Sequence, residues 1–341
     1  MTGAGRFFRR IAPQLVTLAF VLVLISVFFP GFFDISIANG RLYGSPIDIL
    51  NRGAPVALLA IGMTLVIATR GIDLSVGAVM AICGAAAAWG ITEGYDLGAT
   101  LLIAITAGLL CGLWNGILVA FLGIQPIVAT LILMVAGRGI AQLITEGAIL
   151  TFNDPGLIFF GSGTLLGLPM PVVIWIVTGL LITLIVRRTA LGLLIESVGV
   201  NLRASTLAGI NSRVLLIAVY VGSGFCAALA GIIAAADIRG ADANNAGLWL
   251  ELDAILAVVI GGTSLLGGRF SLIASLIGAM IIQAVNTGIL LSGFPPEFNL
   301  VIKAGIILII LVVQSPALRT TLAFFRKTQR GQTAEKETVP Q

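Results

Sequence analysis

Arg70 and Asp73 stand three residues apart in the segment TRGIDLS, Thr69 to Ser75, between two runs that are otherwise apolar, Ala54 to Thr69 and Leu74 to Trp89. In a bilayer each of these charges is costly unless it reaches the interface or lines a cavity inside the protein. Two chemistries are then open to the motif Gly71, Asp73, Ser75 and Gly77. It is either a gate held shut by polar bonds between helices, or an ion site centred on the Asp73 carboxylate. Arg138 belongs to the same class, because an Arg inside an apolar run must face the bundle interior or water. Asn115, Gln142, Gln283 and Asn286 also lie within apolar runs. Each of them serves either as interhelical glue or as a polar contact on a pathway.

Other chemistry is excluded by what is missing. The chain has no His, so it has no His general base, no His metal ligand and no Ser-His-Asp triad. It has no GxxxxGK[ST] and therefore no P-loop of its own for ATP. Cys83, Cys111 and Cys226 are scattered singly through apolar runs without CxxC spacing, as small packing residues are. Neither a cofactor site nor a metal site is expected in this chain. A lipid-modifying enzyme would need clustered acid-base residues, which the sequence lacks.

The elements that must position these residues are membrane helices. The chain is 58% hydrophobic and only 10% charged, with a mean hydropathy of +1.12. A soluble globule carries roughly 25% charged residues. Apolar runs from Ile11 to Phe29, Ala54 to Thr69, Leu74 to Trp89, Ala99 to Leu122, Ile127 to Ile144, Pro171 to Val186, Leu215 to Ala236, Leu252 to Leu266, Leu272 to Leu291 and Leu300 to Val313 predict an all-α polytopic protein. That is about ten transmembrane helices, of which the run from Leu252 is short enough to be broken or tilted. The first run is long for a signal peptide and no A-x-A site follows it, so it reads as a retained helix.

Lys and Arg concentrate in alternate loops, including Arg6, Arg9, Arg10, Arg70, Arg187, Arg188, Arg203, Arg213, Arg269, Arg319 and Arg326. The positive-inside rule makes those loops and both termini cytoplasmic. The net charge of +4 is thus a matter of topology and not a footprint for nucleic acid. Residues 1–10 form a cytoplasmic N-terminal segment, 11–315 the membrane domain, and 316–341 a polar tail with little to bury, expected to be disordered. Gly108, Gly112 and Gly116, spaced four apart, share one helix face and invite a close neighbour. The turn at Gly261 to Leu276 weakly echoes the turn at Arg70, both using Gly, Arg and Ser.

The longest cytoplasmic loop, 187–213, carries a short helix of its own. Asn201 is a good N-cap and Gly209 suits the left-handed C-terminal position. Such a helix either docks a partner or rests on lipid headgroups.

The stretch GMTLVIATRGIDLSVGAVMAI (62–82), with Glu196, Gly199, Asn201, Ala204 and Gly209 in the loop, resembles the permease subunits of bacterial ABC importers for monosaccharides, the ribose and xylose type. The resemblance extends from about Leu50 to Val313, and segments 44–69, 235–262 and 286–299 are most similar to galactofuranose-importing members. It implies an inner-membrane permease that pairs with a second permease, with an ATP-hydrolysing subunit that uses ATP and Mg, and with a periplasmic sugar-binding protein. Glu196, Gly199, Asn201, Ala204 and Gly209 would then couple the chain to the ATPase. A neutral sugar needs hydrogen-bonding groups and aromatic faces, which makes Trp114, Asn115, Thr130 and Asn286, with Arg138, the candidate translocation path. The sequence departs from the family at Arg70, where a small residue is usual, and mildly at Ser205. An ion-coupled sugar transporter using Asp73 is the alternative.

Overall fold

The computed structural model describes residues 3–38, 40–293, and 300, 301, 304, 305, 308 and 309. Two compact units divide the chain, Met1–Thr287 and Gly288–Gln341, and every candidate site residue falls in the first. Most of the last expected span, 300–313, and the whole tail, 316–341, lie outside the described residues.

Helix α1 (Gly3–Phe28) leads into a small hairpin, β1 (Ser36–Ala38) with β2 (Arg41–Tyr43). Helices α2 (Ser45–Arg52) and α3 (Ala54–Ala68) follow, bent by 46° across Gly53. The bend has a local cause: Pro55 opens α3 and supplies no N–H to continue the α2 ladder. Next come α4 (Val76–Thr92), α5 (Leu97–Ala120), α6 (Pro126–Ile144), β3 (Leu150–Thr151), α7 (Pro155–Ser162), β4 (Thr164–Leu165), β5 (Leu168–Pro169) and α8 (Met170–Arg188). The chain continues through α9 (Leu191–Val200), α10 (Leu202–Leu207), α11 (Ser212–Ile238), β6 (Gly240–Ala241), α12 (Leu250–Ile260) and α13 (Leu272–Leu291). Among the described residues the strands make only two-stranded pairs, β1 with β2, β3 with β6 and β4 with β5, so the fold there is helical with short clasps in its connections.

Among the described residues six helices are long and apolar enough to cross a membrane, and α2 with α3 makes a seventh if the bent pair is one span. Helix α12 has 11 residues, about 16 Å of rise against a hydrocarbon core of about 30 Å. It is shorter than the expected run from Leu252 to Leu266, because Gly261 and Gly262 end it. The connection that precedes it packs against the start of α4. A Cβ on Gly77, at the start of α4, would collide with Gly247 O in that connection.

Helices α3 and α4 are buried on almost every side, and their hydrophobic residues show no single apolar face. That pattern belongs to the interior of a bundle in which lipid meets only the outer helices. Helix α11 lies against α3, α4 and α5. Its approach to α5 uses the glycine stripe that the sequence marks. A Cβ on Gly112 would collide with Tyr220 O and come within 2.8 Å of Val221 Cα; one on Gly116 would come within 2.9 Å of Ile217 Cα. Two helices meet there backbone to backbone, the arrangement that lets van der Waals packing hold helices together without a hydrophobic drive. The first helix is tied in as well, since buried Gln14 donates through Nε2 to Gly261 O at 3.2 Å.

Gly112→Ala should lower stability by about 1–3 kcal/mol, the usual cost of overpacking. Gly139→Ala, on α6 with open space around the new methyl, should not lower it. Thermal unfolding of the detergent-purified protein checks both; equal melting temperatures for Gly112→Ala and the parent would mean that α5 and α11 do not meet this closely.

Candidate functional site

The break between α3 and α4 is the point where the buried polar residues converge. Helix α3 ends as Thr69 N and Arg70 N turn back to Val66 O and Ile67 O, and Arg70 adopts φ 65. The chain then runs irregularly through Gly71, Ile72 and Asp73 until α4 starts at Val76. Irregular backbone among helices must find partners elsewhere. Thr130 on α6 supplies two, its Oγ1 accepting from Leu74 N at 3.1 Å and standing 3.1 Å from Ile72 O.

Asp73 is 3% exposed, and three donors converge on its carboxylate. Ser75 N and Ser75 Oγ reach Oδ1 at 3.0 and 2.6 Å, and Ser223 Oγ from α11 reaches Oδ2 at 2.9 Å. Asn115 Nδ2 on α5 donates in turn to Ser75 Oγ at 2.8 Å. Three helices, α5, α6 and α11, are thereby fastened to the seven-residue break between α3 and α4. Asn115 and Thr130, 1% and 0% exposed, are thus spent on the hairpin itself. Two buried atoms beside this lock, Tyr220 Oη and Asn115 Oδ1, have no hydrogen-bond partner among the described residues.

A second constellation lies in the connection between α8 and α11. The loop helix forms where the capping residues place it: Asn201 Oδ1 accepts from Ala204 N at 3.0 Å and Gly209 takes φ +89. Ile210 N returns to Ser205 O and Gly209 N to Thr206 O, the two bonds of a Schellman cap. Helix α10 presents Leu202 and Leu207 to the outside, Leu207 at 90% exposure, and Ala204 is also exposed. Glu196, on α9, is half-buried. Gly199, the next to last residue of α9, is buried against the hairpin, where a Cβ would collide with Ala68 O and approach Gly268 N to 2.6 Å.

Arg70 does not pair with Asp73. Its guanidinium spans the junction, Nε donating to Leu266 O at 2.8 Å and Nη2 to Val200 O at 2.7 Å. Gly268 N also donates to Ala68 O at 2.9 Å, so the two Gly-Arg-Ser turns that echo one another in sequence touch in space.

Arg138 organises the third constellation. Its Nη1 donates to Ala243 O at 2.9 Å and to Ala246 O at 2.6 Å, and one turn on, Gln142 Nε2 donates to Asn244 Oδ1 at 2.7 Å. Asp242 closes the loop on itself by accepting from Asn244 N, Asn245 N and Asn245 Nδ2. Arg138 lies about 18 Å along α6 from Pro126. The loop it holds therefore exposes Asn244 and Asn245 within the thickness of the bundle. Of the remaining path candidates, Trp114 is 52% exposed on α5 and Asn286 is half-buried on α13. The structure does not bring Trp114, Arg138 and Asn286 together with Asn115 and Thr130 by any hydrogen bond among the described residues.

These arrangements bind backbone; no group of three or more His, Cys, Asp or Glu among the described residues is placed to hold a metal ion. A family model described as "Branched-chain amino acid transport system / permease component" matches residues 45–311. The chain belongs to this permease family. Over 303 residues, 89% of either chain, it is 66% identical to the galactofuranose transporter permease protein YtfT of Escherichia coli (strain K12). It is 42% identical over 94% of its length, and 92% of the relative's, to the fructose import permease protein FruF of Bifidobacterium longum (strain NCC 2705). With the ribose import permease protein RbsC of Escherichia coli (strain K12) it shares 37% identity, over 89% and 92% of the two chains.

In this permease the sequence alone marks Asp73, Ser75, Asn115, Thr130 and Arg138, but not Ser223, whose hydroxyl sits in an apolar run where Ser is an ordinary small residue. Nor does it mark the carbonyls of Val200, Leu266, Ala243 and Ala246, since every residue has one.

Ser223→Ala should cost about 1.5–3 kcal/mol, the range for a hydrogen bond to a charged group. The combination of Ser223→Ala with Asn115→Ala should be non-additive, since both act on one network. Melting temperatures of the two single variants and the double variant check this. Simple additivity would show that the three helices are not held by one lock.

Proposed function

We propose that this permease is the membrane subunit of a binding-protein-dependent ABC importer in a bacterial inner membrane, and that its cargo is a monosaccharide, galactofuranose before others. The observation that carries the reading is the 66% identity to the galactofuranose transporter permease, extending over 89% of both chains. The fructose and ribose import permeases support a sugar over an amino acid. The reading includes about ten transmembrane helices with both termini in the cytoplasm, in keeping with the distribution of Lys and Arg.

The work comes from an ATPase partner using ATP and Mg. Helix α10, capped at both ends and exposed, seats in that partner, with Asn201, Ala204 and Gly209 shaping it and Glu196 and Gly199 holding its base. A second permease subunit completes the pathway, and a periplasmic sugar-binding protein delivers the cargo. The hairpin Gly71 to Gly77 is the gate. Its polar lock is firm but incompletely satisfied at Tyr220 Oη and Asn115 Oδ1, so a second arrangement that gives these atoms partners is within energetic reach. A neutral sugar passing the chain would exchange water hydrogen bonds for those of amides, and exposed Asn244 and Asn245, half-buried Asn286 and the indole of Trp114 offer such contacts. Asn115, Thr130 and Arg138 serve that path by holding its walls. Ion coupling at Asp73 gains no support, because its carboxylate is already engaged by Ser75 and Ser223.

Purification from native membranes in mild detergent should recover an ATPase subunit and a second permease with this chain. In proteoliposomes the complex should hydrolyse ATP faster with the sugar-loaded binding protein, and galactofuranose should stimulate more than galactopyranose. Sugar uptake by the solitary chain without ATP, abolished by a protonophore, would overturn the reading.

A further inference from the structure

The lock around Asp73 closes without Arg70, yet the Arg70 guanidinium ties together two segments far apart in the sequence. Its φ of 65 is a conformation that costs a non-glycine residue about 1 kcal/mol or more. Its side chain is exposed, yet it turns back along the protein and does not extend outward as a headgroup anchor would. The two carbonyls it holds come from segments 130 and 196 residues away. One is Leu266 O in the turn between α12 and α13. The other is Val200 O, the last carbonyl of α9, which has no partner within its own helix and directly precedes Asn201, the N-cap of α10.

Around the guanidinium the three backbones are in contact. A Cβ on Gly267 would collide with Arg70 Cγ and come within 2.9 Å of Gly199 O, and Gly199 has no room for a Cβ against Ala68 O. Segments packed this closely move together or not at all. The guanidinium is planar, and its Nε and Nη2 present two donors at a fixed spacing, so it fixes the distance between the two carbonyls as well as binding each. On the far side of Arg70 only Gly71 and Ile72 intervene before Asp73.

We propose that Arg70 is the positioning residue that makes the base of α10, the α12–α13 turn and the Asp73 gate a single moving part, so that displacement of α10 is transmitted to the gate and not absorbed in the loop. The inference rests on the reading of α10 as the helix that meets the ATPase. Arg70 touches neither sugar nor nucleotide; it acts through Val200 and the hairpin. Without its guanidinium the ATPase still binds and turns over, but its stroke is lost before it reaches Asp73.

The test uses the whole transporter, with ATPase subunit, second permease and binding protein, in proteoliposomes, and reads sugar moved per ATP hydrolysed. Arg70→Gly removes the guanidinium and also relieves the positive φ, so it is the variant least open to misfolding. It should assemble with the ATPase subunit, melt no lower than the parent, and move roughly fivefold or more less sugar per ATP. Arg70→Lys, whose single ammonium serves one carbonyl at a time, should fall between the two. An unchanged ratio in Arg70→Gly overturns the proposal. So does a loss that accompanies a lower melting temperature or failure to assemble, since that would make Arg70 structural only. Leu207→Arg on the exposed face of α10 separates the two readings. If it leaves the ATPase subunit bound and sugar uptake normal, the docking role of α10 fails. If it releases the ATPase while Arg70→Gly keeps the parental ratio, the role of Arg70 alone fails.

Discussion

A carboxylate inside an apolar bundle must be given donors or it will not stay there, and the rest of this structure is arranged around meeting that need for Asp73. Its burial is only possible because α3 and α4 are interrupted, which frees Ser75 N and brings Ser75 Oγ back onto Oδ1. The interruption then exposes backbone groups that also need partners, and Thr130 supplies them from α6. Ser223 completes the set from α11. Each element that approaches the break does so to satisfy a polar group, and in doing so it loses freedom to move independently.

Close approach is the second condition. A serine or asparagine side chain reaches only a few ångströms, so α11 can offer Ser223 to Asp73 only if the helices come nearly into backbone contact. The glycines at 108, 112 and 116 on α5 and at 62 on α3 provide this, for a Cβ on Gly62 would lie 2.8 Å from Ser223 Cα. The small residues and the polar lock are therefore one design, and neither would work alone. The same economy appears where α9 meets the hairpin through Gly199 and where the connection before α12 meets α4 through Gly77.

The three constellations follow one another along the molecule. The Arg70 junction lies where the loop helix begins, the Asp73 lock follows within a few residues, and the loop fastened by Arg138 lies on the further side, against Gly77. Two arginines bracket one carboxylate, and neither neutralises it; both donate to backbone carbonyls. Exposed Arg70 and half-buried Arg138 thus use their charge to grip main chain.

The sequence by itself determined the class of the molecule, the existence of the helix pair around Asp73, and the caps of α10. These features are set by local physics: hydrocarbon length, the cost of charge in lipid, and the conformations that Asn201 and Gly209 permit within a few residues. It marked Asn115 and Thr130 as polar residues of note but left open whether they faced a path or another helix, because spacing along one helix does not say which neighbour it meets. Only the tertiary structure decided that both turn to the hairpin, and that Ser223 rather than a charged residue completes the carboxylate's shell. It also decided that Arg70 and Arg138 bind carbonyls. Main-chain acceptors are the same at every position of a sequence, so which of them an arginine will grip depends on where distant segments are brought together by packing.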